Sequence, residues 1–358
     1  MKKSISLIAL LLVVSLVSSC FGEYTVGGSF TKDDYQYTYL RNGNLRLEKY
    51  LGDSDTVNIP SSIDGHDIES IGPHAFAGKK VSKVTLPTTV KMICSFAFSG
   101  CENIQRFAIP NTCYVIDGNP FPGCTSLVNI SVEPNHPTLS VTSDGVLYNK
   151  NTKTLLCYPS SKSNASYNVA EGTKNIAQYA FFNCTALNQI TLPNTLERIA
   201  QSAFYGCSAL TTLKIPQSVL TIGLSAFAGC MGLTKVTLPE QLTRLEAGLF
   251  YGCKELRDLT LPAQLQYIGD RVFYGCEALD AISIPETVSA IGKEAFRGCS
   301  NLTRAYVSSQ VIEIGDAAFD DCSVRLYIYT QEYSFAQLYA KIWDISYTYG
   351  TNDEFLRQ

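Results

Sequence analysis

A chain of 358 residues with a formal net charge of −4 has no global basic field with which to hold nucleic acid. Only 17% of its residues are charged against 46% hydrophobic, and Thr, Ser, Asn and Tyr are plentiful, which excludes a solvated disordered tail and suits an extracellular sheet. The three histidines, His66, His74 and His136, stand beside glycine, proline or asparagine, and no HExxH, G-x-S-x-G, GxGxxG or phosphate-cradling loop occurs. No enzyme chemistry, metal or cofactor is therefore expected, since function must be argued from a site.

Residues 1–20, MKKSISLIALLLVVSLVSSC, place two lysines before an apolar run from Ile5 to Val17 and small residues before Cys20, the layout of a cleaved secretion signal. The run is too short and one-sided for a retained membrane span. Val17-Ser18-Ser19-Cys20 resembles a bacterial lipobox, which implies cleavage before Cys20 and lipidation of that residue. Several acyl chains on one residue make a stable anchor. Phe21 stands where Asp would signal inner-membrane retention, so the expectation is an exported protein, lipid-anchored to the outer membrane and exposed at the surface.

Residues 21–55 read as an N-terminal β-cap: YQYTYLRNGNLRLEKYLG alternates around the hairpin signal Asn42-Gly43. A repeat fills residues 56–323. It is registered on Phe76, Phe98, Phe121, Phe181, Phe204, Phe227, Phe250, Phe273, Phe296 and Phe319, at steps of 23 residues from Phe181 onward, with irregular steps of 22 at the start and 60 between Phe121 and Phe181. The unit reads roughly I-P-x-x-V-x-x-I-G-x-x-A-F-x-G-C-x-x-L-x-x-L-x, the period and leucine spacing of a leucine-rich-repeat solenoid, in which one turn cannot bury its apolar side until the next stacks on it.

Within each unit, a piece such as LTTLKIP alternates, turning Leu213 and Ile215 inward and Thr212 and Lys214 outward, so it is a short strand in a parallel sheet. Pro216, Pro239, Pro262 and Pro285 close those strands. The residue before the cysteine position is glycine, Asn183 or Asp321, the types that best tolerate a left-handed backbone, so the "AF" segment is a short helical turn with a left-handed cap. The glycine after the inner isoleucine is replaced by Cys94, Asp117, Ala177, Ala200 and Glu246 in other copies, so positive φ is not compulsory there.

Cys101, Cys124, Cys184, Cys207, Cys230, Cys253, Cys276, Cys299 and Cys322 share one register, with Lys79 in the first copy. Equivalent residues of stacked turns lie about 4.8 Å apart with parallel Cα–Cβ bonds, unlike a disulfide pair, and a line of thiols does not converge on zinc. The row is read as a buried ladder of small fillers whose S–H groups reach nearby carbonyls. Cys113 takes a core valine position, while Cys94 and Cys157 are left open. Residues 324–358 read as a C-terminal cap: VRLYIYT a strand, SFAQLYAKIW an amphipathic helix, ISYTY a last strand.

The repeated I-P-x-x-V-x-x-I-G-x-x-A-F-x-G-C unit resembles the BspA-type leucine-rich repeats of bacterial surface proteins, over about residues 56–323. The resemblance implies a right-handed, β-rich solenoid. It also implies that Ser140–Pro159, within residues 134–168, is a hairpin insertion that accounts for the 60-residue step. It further implies a non-enzymatic surface module for adhesion, binding host proteins such as fibronectin or fibrinogen, or other bacterial surfaces. Two alternatives stand beside that reading. One is a glycan-binding or carbohydrate-active protein, for which exposed aromatics would be diagnostic, although Trp343 is the only tryptophan. The other is a purely structural envelope spacer.

The candidate binding face is the stripe of outward strand positions. It runs through Lys83, Arg106, Gln189, Thr212 and Lys214, Lys235 and Thr237, Asp258 and Thr260, and Arg304 and Tyr306, five positive charges and one negative on an acidic chain. Thr and Ser there also serve β-propensity alone.

Overall fold

The structure, a computed structural model, describes residues 25–356; the secretion signal and Cys20 lie outside them. It divides into two compact units, one of the described residues up to Ser126 with Ile130–Thr138, the other of Leu127–Asn129 with Leu139 onward.

The first unit opens as an antiparallel meander of Thr25–Lys32, Tyr35–Leu40 and Leu45–Tyr50. Gly43 supplies the positive φ, 86°, that the tight turn after Tyr35–Leu40 requires. The pairing then changes sense. Leu45–Tyr50 lies parallel to His66–Ile71, which is followed by Met92–Ile93 and Val115–Ile116. Thr56–Asn58 pairs in parallel with Lys83–Thr85, each burying only its central valine, Val57 or Val84.

The second unit repeats this plan. Leu139–Val141, Leu147–Asn149 and Thr154–Cys157 form an antiparallel meander, whose last strand passes into a parallel ladder with Asn175–Ile176, Arg198–Ile199 and Thr221–Ile222. The same ladder type recurs through Arg244–Leu245, Tyr267–Ile268, Ala290–Ile291 and Glu313–Ile314. The strands expected from LTTLKIP build separate parallel sheets: Ser166–Asn168, Gln189–Thr191, Thr212–Lys214, Lys235–Thr237 and Asp258–Leu259, then Ala281–Ser283, Arg304–Tyr306, Tyr327–Thr330 and Ser346–Tyr349. Each turn therefore contributes two strands, one more than the alternation foretold. The two-residue strand before the glycine position is too short to show a period.

Both units are leucine-rich-repeat solenoid segments, and their core is a row of rings. Tyr50, Phe76, Phe98 and Phe121 stack at 5.2, 5.2 and 5.6 Å in the first unit. In the second, Tyr158 heads the row at 5.2 Å from Phe181, and the rings continue to Phe296 and Phe319 at 5.0 Å. Burying such a ring is worth about 1.5–3 kcal/mol, and parallel offset stacking adds to it. The backbone joins turns beside the rings: Phe204 N–H donates to Ala226 C=O at 2.8 Å and Phe250 N–H to Val272 C=O at 2.9 Å. Successive i→i+3 bonds, such as Tyr205 N–H to Ser202 C=O at 3.1 Å and Cys207 N–H to Phe204 C=O at 3.2 Å, make the "AF" segment a chain of tight turns. It ends on the expected left-handed residue, with φ of 74° at Gly206, 53° at Asn183 and 54° at Asp321.

The cysteine row is buried, with Cys322 alone half-buried. Each donates to the carbonyl of the ring residue one turn back: Cys207 to Phe181 at 3.1 Å, Cys253 to Phe227 at 3.2 Å, Cys299 to Phe273 at 3.1 Å. That bond explains why a thiol recurs where alanine would fit. Burial pushes the Cys253 thiol up to about 12. Lys79, at the head of the row, keeps a donor there and gives hydrogen bonds to the carbonyls of Leu51 at 3.2 Å and Gly52 at 2.7 Å. Cys113 is core, its thiol 3.7 Å from the Val115 carbonyl, and Cys157 is buried.

The chain leaves the stack through Tyr327–Thr330, helix α1 (Phe335–Ile342) and Ser346–Tyr349, as the strand-helix-strand reading requires. Ser334 caps α1 by accepting from Gln337 N–H at 3.1 Å. Tyr339 of α1 closes the ring row, 6.1 Å from Phe319. A second helix, α2 (Asn352–Leu356), follows. Among the described residues no helix is long and apolar enough to cross a membrane.

Candidate binding face

Alternation along each strand and the one-period register together decide what the face presents. In the second unit Thr212 pairs with Lys235 and Lys214 with Thr237, one period apart, so successive turns set outward residues in two columns about 4.8 Å per rung. Gln189, Thr212, Lys214, Lys235, Thr237, Asp258 and Thr260 are all exposed, while Ile190, Leu213 and Val236 between them are buried. In the first unit Lys83 and Arg106 are exposed on strands that bury Val84 and Phe107.

Charge on the face is more balanced than a residue count implies. Lys235 and Asp258 are register partners, and the Lys235 ammonium lies 2.6 Å from the Asp258 carboxylate. Both are more than half exposed, so the pair contributes little stability. Lys214, opposite Thr237 in the register, is an exposed cation of the second unit's face.

Two residues of the expected stripe are not open. Tyr306 is fully buried and Arg304 is half-buried, because α2 folds back over this end of the sheet. Phe355 of α2 lies 6.3 Å from the Tyr306 ring, the Arg304 guanidinium sits 5.5 Å from the Phe355 centroid, and Ser283 Oγ donates to Asn352 Oδ1 at 2.6 Å. Alternation alone carries no sign of a segment returning from outside the repeat.

A second exposed feature escaped the sequence reading. The position after the ring residue is aromatic in four turns of the second unit, and these rings pair off, Phe182 with Tyr205 at 5.4 Å and Tyr251 with Tyr274 at 4.9 Å. Their planes are within 13° of parallel, so each ring spends a face on its partner. A sugar-stacking platform needs open faces. Trp343 is 40% exposed and stacks on Tyr339 at 5.8 Å.

The histidines lie apart. His136 is buried with Nδ1 3.3 Å from Thr138 N, His74 stacks on Phe96 and lies 3.3 Å from Ser99 Oγ, and His66 packs edge-on against Tyr39. Among the described residues no three His, Cys, Asp or Glu side chains converge on a point that could hold a metal ion.

The family model of the BspA type leucine rich repeat region, in six copies, matches residues 53–163, 156–247 and 220–342, more than half of the chain. The chain belongs to that family. No curated protein matches it significantly. Among solved structures it is similar to a leucine-rich repeat protein from Eubacterium ventriosum, with 21% identity and a TM-score of 0.64 over 83% of this chain and 96% of that one. It is also similar to one from Bacteroides ovatus, with 23% identity and a TM-score of 0.50 over 90% of this chain and 100% of the other. A leucine rich cell surface protein from Faecalibacterium prausnitzii matches at 22% identity and a TM-score of 0.46, covering 91% of this chain and 99% of that one. Identities this low speak to the fold. BspA-type repeats in such a stack present a regular, solvent-facing sheet, and repeat solenoids commonly meet other proteins along such a surface.

Proposed function

We propose that this protein is a non-enzymatic binding module of the cell surface, held by lipid on Cys20, which engages an acidic region of a partner protein through the strand face of its second unit. The observation that carries the reading is the open two-column face from Gln189 to Thr260, on which seven outward positions are exposed. Short polar side chains on a rigid sheet lose little freedom on binding. Lys214 supplies a charge that orients an acidic partner. Export and anchoring are supported by the signal-like first 20 residues and the thiol at their end.

The test uses residues 21–358 on immobilised fibronectin and fibrinogen, the host proteins that the family resemblance implies. Binding should weaken with added salt, and changing Lys214 and Lys235 together to Glu should weaken it further while the melting temperature stays put. Equal affinity of parent and double variant would overturn the assignment of the face. For the anchor, Cys20→Ala should leave the protein released from membranes or as uncleaved precursor; unchanged detergent partition would contradict lipidation.

A further inference from the structure

The end of the strand face that α2 covers is built as a seat. Phe355 is 5% exposed. Its ring meets Tyr329 edge-on at 5.5 Å and 74°, while Tyr306 and the Arg304 guanidinium close two further sides at 6.3 and 5.5 Å. Edge-to-face contact and a cation beside the ring are both attractive arrangements for an aromatic side chain. The floor is also tied to its own sheet: the Tyr306 hydroxyl donates to Glu286 at 3.3 Å and accepts from the Gln331 amide at 2.9 Å. At the far side, Ser283 Oγ donates to Asn352 Oδ1.

What fills the seat is locally organised. Thr351 and Glu354 form a reciprocal cap, with Thr351 N–H donating to the Glu354 carboxylate at 2.7 Å and Glu354 N–H to Thr351 Oγ1 at 3.3 Å. A helix of five residues does not persist by itself in water, so α2 exists because the seat holds it. It is not needed to close the ring row, which Tyr339 of α1 already covers. Residues 351–355 thus lie on the partner-facing side of the sheet rather than at the end of the stack.

We propose that Ser283, Arg304, Tyr306 and Tyr329 form a peptide-binding seat that takes, from a partner protein, a Ser- or Thr-capped helical turn delivering one aromatic side chain, and that residues 351–355 occupy it as an exchangeable self-ligand. The proposal deepens the reading of the strand face as a protein-binding surface by naming what one end of it recognises. The occupant's chemistry is given by the contacts already made: an amide or carboxylate oxygen for Ser283, a ring for Tyr329 and Arg304, and a cap that holds the turn as it docks. A partner segment of this kind competes with α2 by mass action and leaves the sheet untouched.

The experiment is fluorescence anisotropy with a labelled synthetic peptide of residues 349–358, titrated with residues 21–358 of the parent and of the Phe355→Ala variant, whose seat is emptied of its ring. The variant should bind the peptide at least tenfold more tightly than the parent, a peptide carrying Phe355→Ala should not bind, and Arg304→Glu added to the variant should weaken binding at least tenfold. Equal binding by variant and parent, or binding of the alanine peptide as tightly as the native one, would overturn the proposal. Should Phe355→Ala not fold, Glu354→Ala in the protein takes its place, since it breaks the cap and keeps the ring. It must then bind the unaltered peptide more tightly than the parent does, and failure to do so is equally fatal. The peptide reads only this end of the sheet, so a failure here is distinguishable from failure of the Lys214 and Lys235 test.

Discussion

In the first unit an antiparallel meander ends at Tyr50 and hands its last strand to a parallel ladder; in the second a meander ends at Cys157 and Tyr158 follows. Both tyrosines occupy the ring position of a turn and stack on the next phenylalanine at 5.2 Å. Each also has a lysine ammonium over its ring, Lys79 at 5.4 Å and Lys162 at 5.8 Å. The meander gives the first parallel strand a partner on its otherwise bare side, and so removes an exposed sheet edge. The two starts differ in the phenol: Tyr50 accepts from Ser54 N–H at 3.1 Å, whereas the buried Tyr158 hydroxyl has no partner among the described residues. The two beginnings thus share one plan and differ in how the phenol is satisfied.

The largest effect that separates interior from beginning is at the rings. Phe250→Ala, between two other rings, should cost about 3–5 kcal/mol in chemical denaturation, and faster hydrogen exchange should spread to the adjoining rungs because turns share their stability. A loss below that of a surface substitution would mean the ring row is not the core.

Next are two of the glycines of the inner position, one from each unit. A Cβ at Gly292 would stand 2.5 Å from both Asp270 N and Gly269 C of the turn below, whereas at Gly72 the nearest atoms are Leu47 O at 2.9 Å and the movable Glu48 carboxylate at 3.0 Å. Gly292→Ala should cost roughly 1–3 kcal/mol and Gly72→Ala distinctly less; the reverse order of melting temperatures would refute close approach as the reason for glycine.

The phenols give a smaller contrast. Tyr50→Phe should cost about 0.5–1.5 kcal/mol for its lost hydrogen bond, while Tyr158→Phe should be neutral or slightly stabilising because a buried unpaired hydroxyl is removed. Equal shifts on thermal unfolding would contradict the difference between the two starts. Smallest of all, Thr237→Ala on the open face should stay within about 0.5 kcal/mol of the parent.

Interior positions were legible because the same physical demand recurs every 23 residues. Phe204 must stack, Cys207 must donate to the preceding turn, and Gly206 must be left-handed, so each recurs as a letter. Where the backbone alone meets the demand, no letter is kept: positive φ two residues before the ring falls on His74, Tyr179, Ser202, Arg271 and Glu294, which share no side-chain property. Tyr158 was hidden because a register keyed on phenylalanine passes over a tyrosine. The covering of Arg304 and Tyr306 was hidden for a different reason. It depends on α2, a segment outside the repeat whose only sequence mark is the short cap Thr351-Asn352-Asp353-Glu354. The outward stripe was thus readable as geometry, and its covered end was not.

Because the described free thiols are buried and only Cys322 is half-buried, a cysteine placed on the surface of residues 21–358 will react first with a bulky maleimide. Thr212→Cys puts that label on the strand face and Tyr205→Cys puts it on the outer turn of the same repeat. Immobilised fibronectin and fibrinogen then report which surface matters. Labelling at 212 should abolish binding while labelling at 205 leaves it within twofold of the unlabelled protein; equal binding by the two labelled forms would contradict the strand face as the site of recognition.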